Sequence, residues 1–117
     1  MIGLPGSTRI FLHRGATDMR KGFDGLAGMV RKHFRTDVLS GALFVFVNRR
    51  RTYVKILYWD RDGFAIYAKR LERGTFRIPV ADTDQVELTT AELSMLLEGI
   101  TPLRVNRRYR LPAVASA

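Results

Sequence analysis

The sequence predicts an α+β fold. It is a single domain: an antiparallel β-meander of four to five strands, with one long helix packed on the sheet and a second, short C-terminal helix. Three observations predict it. Met19, Phe23, Leu26, Val30 and Phe34 recur at helical spacing after a short strand-like segment. Short β-rich segments from Ala42 onward are punctuated by turn signals at Asn48-Arg49-Arg50-Arg51 and Asp60-Arg61-Asp62-Gly63. Thr89 with Glu92 three residues on is a capping box ahead of a final apolar row.

Taken in order, Arg9-Ile10-Phe11-Leu12-His13 reads as a first strand, broken by Gly15. Thr17 is an N-cap candidate, and Asp18 suits the positive end of a helix dipole, so the long helix is placed from Asp18 to Phe34. It contains Gly22, Gly25 and Gly28, each costing about 1 kcal/mol against Ala. Close packing on the sheet is one reading of them and phosphate approach to the backbone is another. Ala42 to Val47 is apolar on both faces, the pattern of a central strand. Thr52 to Asp60 returns antiparallel to it, and Phe64 to Leu71 follows, with Gly63 suited to a positive φ. Thr75-Phe76-Arg77-Ile78 is a shorter strand stopped by Pro79, and Gln85-Val86-Glu87-Leu88 is a last one. Leu93, Leu96, Leu97 and Ile100 form the apolar side of the second helix, ended by Gly99 and Pro102.

The 117 residues allow one domain with a real core, assigned to residues 1–103. Residues 104–117, basic and then small, form a tail expected to be disordered. Twenty Lys and Arg against eleven Asp and Glu give a net charge of +9, which favours a polyanionic partner. The absence of cysteine excludes disulfides, thiolate metal sites and cysteine nucleophiles. There is neither a signal-peptide pattern nor an apolar run near the ~18 residues of a membrane span. The expectation is a cytoplasmic protein with no membrane partner.

The functional signal is the triple-arginine tip. Arg49, Arg50 and Arg51 crowd one tight turn, which is costly without an anion nearby, although a solvated turn is the plainer alternative. Lys55, Lys69 and Arg70 would extend a basic track, Tyr53 would stack on a base, and Arg107, Arg108 and Arg110 would add a basic tail. If Arg61-Asp62-Gly63 is a three-residue loop, Lys55 faces Lys69 across the strands, an unfavourable pairing without an anion. Trp59 and Tyr67 read as either core or stacking residues. Catalytic patterns are weak. His13 and His33 lack metal-ligand spacing, and Asp60, Asp62 and Lys69 suggest a metal nuclease only loosely, since turn-forming aspartates explain them better. No catalytic residue, metal or cofactor is expected.

Longer stretches carry a family resemblance. Thr17-Asp18-Met19-Arg20-Lys21-Gly22-Phe23-Asp24-Gly25-Leu26, Leu43 to Arg51, Lys55 to Asp60 with Gly63-Phe64, and Lys69 to Phe76 together resemble the TnpB-type accessory protein of the IS-sixty-six class of bacterial insertion sequences, its second open reading frame. The likeness spans roughly residues 3 to 100. It implies a small bacterial protein required beside a separate, larger transposase, and it does not imply an active site. Two functions follow as expectations. The first is a non-enzymatic accessory protein of DNA transposition that binds DNA electrostatically. The alternative is a protein-interaction module that bridges or docks to the transposase without contacting DNA. Oligomeric state is not legible.

Overall fold

A segment such as Leu43-Phe44-Val45-Phe46-Val47 has no polar face, so as a strand it needs apolar cover on both sides. In the computed structural model, which describes residues 7–99, it is the third of five strands across the sheet, with every residue buried. The elements are β1 (Ile10–Ala16), α1 (Phe23–His33), β2 (Leu43–Val47), β3 (Tyr53–Asp60), β4 (Gly63–Arg70), β5 (Gln85–Leu88) and α2 (Thr90–Glu98), and the sheet order is β4-β3-β2-β1-β5. β2, β3 and β4 form the expected antiparallel meander.

β1 departs from that expectation, because it pairs with β2 in parallel. Residues 17–42, with α1 among them, supply the long crossover that a parallel pair requires. β5 then returns to the far side of β1 and pairs with it antiparallel. Thr75-Phe76-Arg77-Ile78 is not a strand: it lies in an irregular connection in which Phe76 and Ile78 are buried. One backbone bond, from Phe76 N–H to the Arg51 carbonyl at 2.7 Å, fastens it to the β2–β3 turn. The Arg14 guanidinium secures the rest of the connection by donating to the carbonyls of Pro79, Ala81 and Thr83 at 3.0, 3.2 and 3.1 Å.

Strand alternation sorts side chains into two cores. One holds Ile10, Leu12, Val45, Val54 and Ile56 beneath α2, with Phe76 from the connection. The other holds Phe11, Phe44, Phe46 and Leu57 beneath α1, where the Phe11, Phe34 and Phe44 rings pack with centroids 5.5–5.9 Å apart. α2 begins as the sequence predicts. Thr89 Oγ1 accepts from Glu92 N–H at 3.1 Å, and Glu92 Oε1 accepts from Thr89 N–H at 2.8 Å. It ends at Gly99, whose φ of 78° is left-handed. Ile100, Pro102 and the basic tail lie outside the described residues.

The start of α1 differs from the reading at Thr17. Gly22 is the N-cap and no side chain caps it. Thr17 N–H instead donates to the Val47 carbonyl at 2.8 Å, tying the end of β1 to β2. Asp18 closes a turn, accepting from Arg20 N–H at 2.9 Å and from the Arg20 guanidinium at 2.7–3.1 Å. Those bonds hold its carboxyl down at about 2. Phe23 faces solvent at 50% exposure, and Ala27 takes the place in the core that the helical row had given it.

The close-packing account of the helix glycines also fails. A Cβ on Gly22 or Gly28 would meet nothing within 4 Å. At Gly25 it would lie 3.1 Å from Cβ and Cγ of Lys21. Gly25 thus makes room for a lysine stem, not for the sheet. Gly28→Ala should therefore stabilise the protein by about 0.5–1 kcal/mol through helix propensity. Gly25→Ala should gain less or lose, because Lys21 must shift. Urea denaturation midpoints of the two variants, and their order, check this.

At the edge of the α1 core, His13 and His33 stack with ring centroids 4.6 Å apart. His13 is buried, and Gln85 Nε2 donates to its Nδ1 at 3.0 Å, a geometry that requires the neutral ring. Burial lowers the pKa of His13, followed by repulsion from His33, and Asp84 opposes both. Burial also lowers that of His33, followed by repulsion from Lys32. A histidine with a depressed folded pKa leaves the unfolded chain holding more protons as pH falls. Its stability contribution is complete above the unfolded value of 6.5 and is lost as pH falls through the lowered folded value. Denaturation midpoints should fall between pH 7 and pH 5, and His33→Gln should reduce that loss. An unchanged pH dependence in the variant would show that the stacked pair is not its source.

Candidate nucleic-acid interface

The arginine tip owes its shape to Asn48. Its Oδ1 accepts from the backbone N–H groups of Thr52 and Tyr53 at 2.9 and 3.0 Å, and its Nδ2 donates to Thr52 Oγ1 at 3.1 Å. Arg51 N–H closes the turn onto the Asn48 carbonyl at 3.0 Å. With Arg51 also bonded through its carbonyl to Phe76, the loop backbone is held at both ends. Arg49, Arg50 and Arg51 are exposed, and none has an ion pair or a side-chain hydrogen bond among the described residues. Arg51 has a φ of 59°. The other positive-φ residue that is not glycine, among the described residues, is Arg61 (φ 57°), in the β3–β4 turn. Glycine or asparagine occupies such positions at lower conformational cost. Each hairpin tip therefore carries an arginine where backbone energetics alone would choose another residue.

The β3–β4 turn contains two residues, Arg61 and Asp62, and not the three read from the sequence. Gly63 already belongs to β4, and the positive φ falls on Arg61. A one-residue change of register moves every partner. Lys55 faces Ala68, Tyr53 faces Arg70, and Lys69 faces Val54. The two lysines, expected opposite each other, are on opposite faces of the sheet. Lys69 Nζ donates to the Leu97 carbonyl at 2.9 Å, near the negative end of α2. Lys55 Nζ donates to the Lys21 carbonyl at 3.0 Å on the α1 side and lies 5.8 Å from the Tyr53 ring centre. Each ammonium keeps donors beyond the one it spends on a carbonyl.

Of the predicted residues, the structure gathers Tyr53, Lys55 and Arg70 on the α1 face, next to the tip. Arg70 makes only a 3.7 Å contact with Glu72, both side chains being exposed. Lys69 stands apart, and Arg107, Arg108 and Arg110 lie outside the described residues. Sequence reasoning missed Lys21, which the Lys55 bond and the Gly25 gap bring to this face. The lone signal for it was the glycine three residues before Gly28, and its meaning depends on which side chain fills the gap. The neighbouring Arg20 is less available, being tied to Asp18. Among the described residues no group of three or more His, Asp or Glu could hold a metal ion, and no helix is long and apolar enough to cross a membrane.

A small α+β domain with a braced, basic hairpin tip is the class of protein that these features define. By sequence the chain belongs to the IS66 Orf2-like protein family, which it matches over residues 8–107. It is thus an accessory protein of an insertion sequence, and its family is not a recognised class of enzyme. Two proteins of Sinorhizobium fredii are similar to it. Uncharacterized protein y4hO is 38% identical over 94 residues, covering 80% of this chain and 82% of its own. Uncharacterized protein y4jC is 32% identical over 108 residues, covering 92% of each. No solved structure matches.

Trp59, which the sequence left as either core or a stacking residue, is half-buried, with Phe64 edge-on at 5.1 Å between centroids. Tyr67 packs at the margin of the α2 core. Trp59→Ala should therefore cost about 1–2 kcal/mol, combining partial burial with one aromatic pair, and not the roughly 3–5 of a fully enclosed ring. A denaturant titration of this variant decides between the two magnitudes.

Proposed function

We propose that this chain acts in transposition by gripping the DNA backbone with its arginine tip, as a non-enzymatic partner of the element's separate transposase. The observation that carries the reading is the pair of conditions at Arg49, Arg50 and Arg51. The loop backbone is braced at both ends, while all three guanidiniums are exposed and without an acidic partner among the described residues. Backbone strain at Arg51 supports it, since strain held at one residue by its surroundings is a mark of functional positions. Arginine forks suit phosphate oxygens, and Tyr53, Lys55 and Arg70 continue the surface on the α1 side. Phosphate contacts position a protein on DNA and carry no sequence information. The surface fits that role, in which the transposase chooses the site.

The test is DNA binding by the isolated protein as salt is varied. Affinity should fall with a log–log slope of about −0.9 per duplex phosphate contacted. Replacing Arg49, Arg50 and Arg51 together with Ala should flatten that slope by about two to three phosphate equivalents. Surface changes of this kind leave stability within about 0.5 kcal/mol each. If the wild-type protein fails to bind duplex or single strands at ~50 mM salt, where phosphate contacts are strongest, the reading is wrong. The docking alternative would then account for the charge.

A further inference from the structure

β4 lies at one edge of the sheet, and among the described residues no strand covers its outer side. It is eight residues long, twice the length of β5 at the other edge, and pairs with β3 in an unbroken register. Leu71 N–H donates to the Thr52 carbonyl, which places odd-numbered residues of β4 in the inward hydrogen-bonding positions. Phe64, Ile66, Ala68 and Arg70 consequently direct their backbone N–H and C=O groups outward. Natural edge strands are usually blunted by proline, by a bulge or by charge. β4 has neither proline nor bulge, and Phe64-Ala65-Ile66-Tyr67-Ala68 is an uncharged run of high β-propensity. Its lysine, Lys69, is drawn inward to the Leu97 carbonyl and does not guard the edge.

We propose that this edge pairs antiparallel with the β4 edge of a second copy of the chain, about a two-fold axis at Ile66, to form a continuous ten-stranded sheet. This inference does not rest on the DNA-binding reading, with which it shares Arg70. A two-fold interface must be self-complementary, and this register is. Ile66 meets Ile66 of the second copy. Phe64 meets Ala68 and Ala65 meets Tyr67, so each aromatic ring faces a methyl group. Asp62, which has no ion pair among the described residues, meets Arg70, whose guanidinium is exposed. The two-fold axis generates that charge pair twice. Shifting the register by two residues in one direction sets Lys69 against Arg61, and in the other sets Arg70 against Phe64. Charge and size complementarity thus select one register for a second copy.

Sedimentation equilibrium without nucleic acid, over a protein concentration series, tests the proposal. The wild-type chain should show a monomer–dimer equilibrium. Ala68→Pro removes an outward N–H and no bond to β3, so the variant should keep its circular dichroism spectrum and sediment as a monomer. Asp62→Arg or Arg70→Asp alone should raise the dissociation constant by roughly tenfold, as two attractive contacts become repulsive. The double variant should restore it. The restoration decides the matter even if Ala68→Pro fails to fold. A wild-type chain that stays monomeric throughout the series overturns the proposal, as does a dimer that is indifferent to both the proline and the charge reversals.

Discussion

Everything in this fold follows from burying β2 on both faces. Leu43 to Val47 leaves no residue exposed, so each face of the sheet needs its own cover. α1 closes one side and α2, with the irregular connection that carries Phe76 and Ile78, closes the other. Polar and charged groups are thereby driven to the ends of the strands and to the edges of the sheet. The chain leaves β2 at Asn48 and must turn sharply to re-enter as β3. The arginine tip sits at that exit, at the end of the most completely buried strand among the described residues.

That location has an electrostatic consequence. A guanidinium cluster on a floppy loop would lose conformational entropy on meeting a phosphate. Here the Asn48 side chain and the Phe76 backbone bond have already fixed the loop, so much of that ordering is complete before any ligand arrives. The other basic groups divide into distinct classes. Arg9 is paired with Glu87 at 2.8 Å, Arg20 with Asp18 at 2.7 Å, and Arg14 is consumed by three carbonyls. The count of twenty Lys and Arg therefore overstates what is free to bind, and the guanidiniums of the tip, without an ion pair among the described residues, stand with Lys55 and Arg70 on the α1 side.

The sheet order also separates the two surfaces the molecule offers. The β2–β3 turn lies at one end of the strands, whereas the β4 edge runs alongside them. Antiparallel pairing of two β4 edges would send the two tips in opposite directions, because a two-fold axis normal to the sheet reverses strand direction. Two positive clusters would then be held apart by the length of a strand, which limits their repulsion.

The sequence by itself determined the local elements. Helical spacing found Leu26, Val30 and Phe34, the capping box placed α2 to the residue, and the all-apolar run marked β2 as central. These features depend on side chains a few residues apart, so the chain encodes them directly. Tertiary structure alone decided how the elements meet. The parallel pairing of β1 with β2 depends on a crossover through residues 17–42, and no local pattern states its direction. A two-residue turn at Arg61 and Asp62 moved Lys69 to the opposite face from Lys55, because side chains alternate with a period of two. The helix glycines looked like packing sites, yet Gly22 and Gly28 face open space and Gly25 accommodates Lys21. The arginine tip was legible as composition. Its bracing by Asn48 and Phe76 was not, since the bond from Phe76 to Arg51 joins residues that only the folded chain brings together.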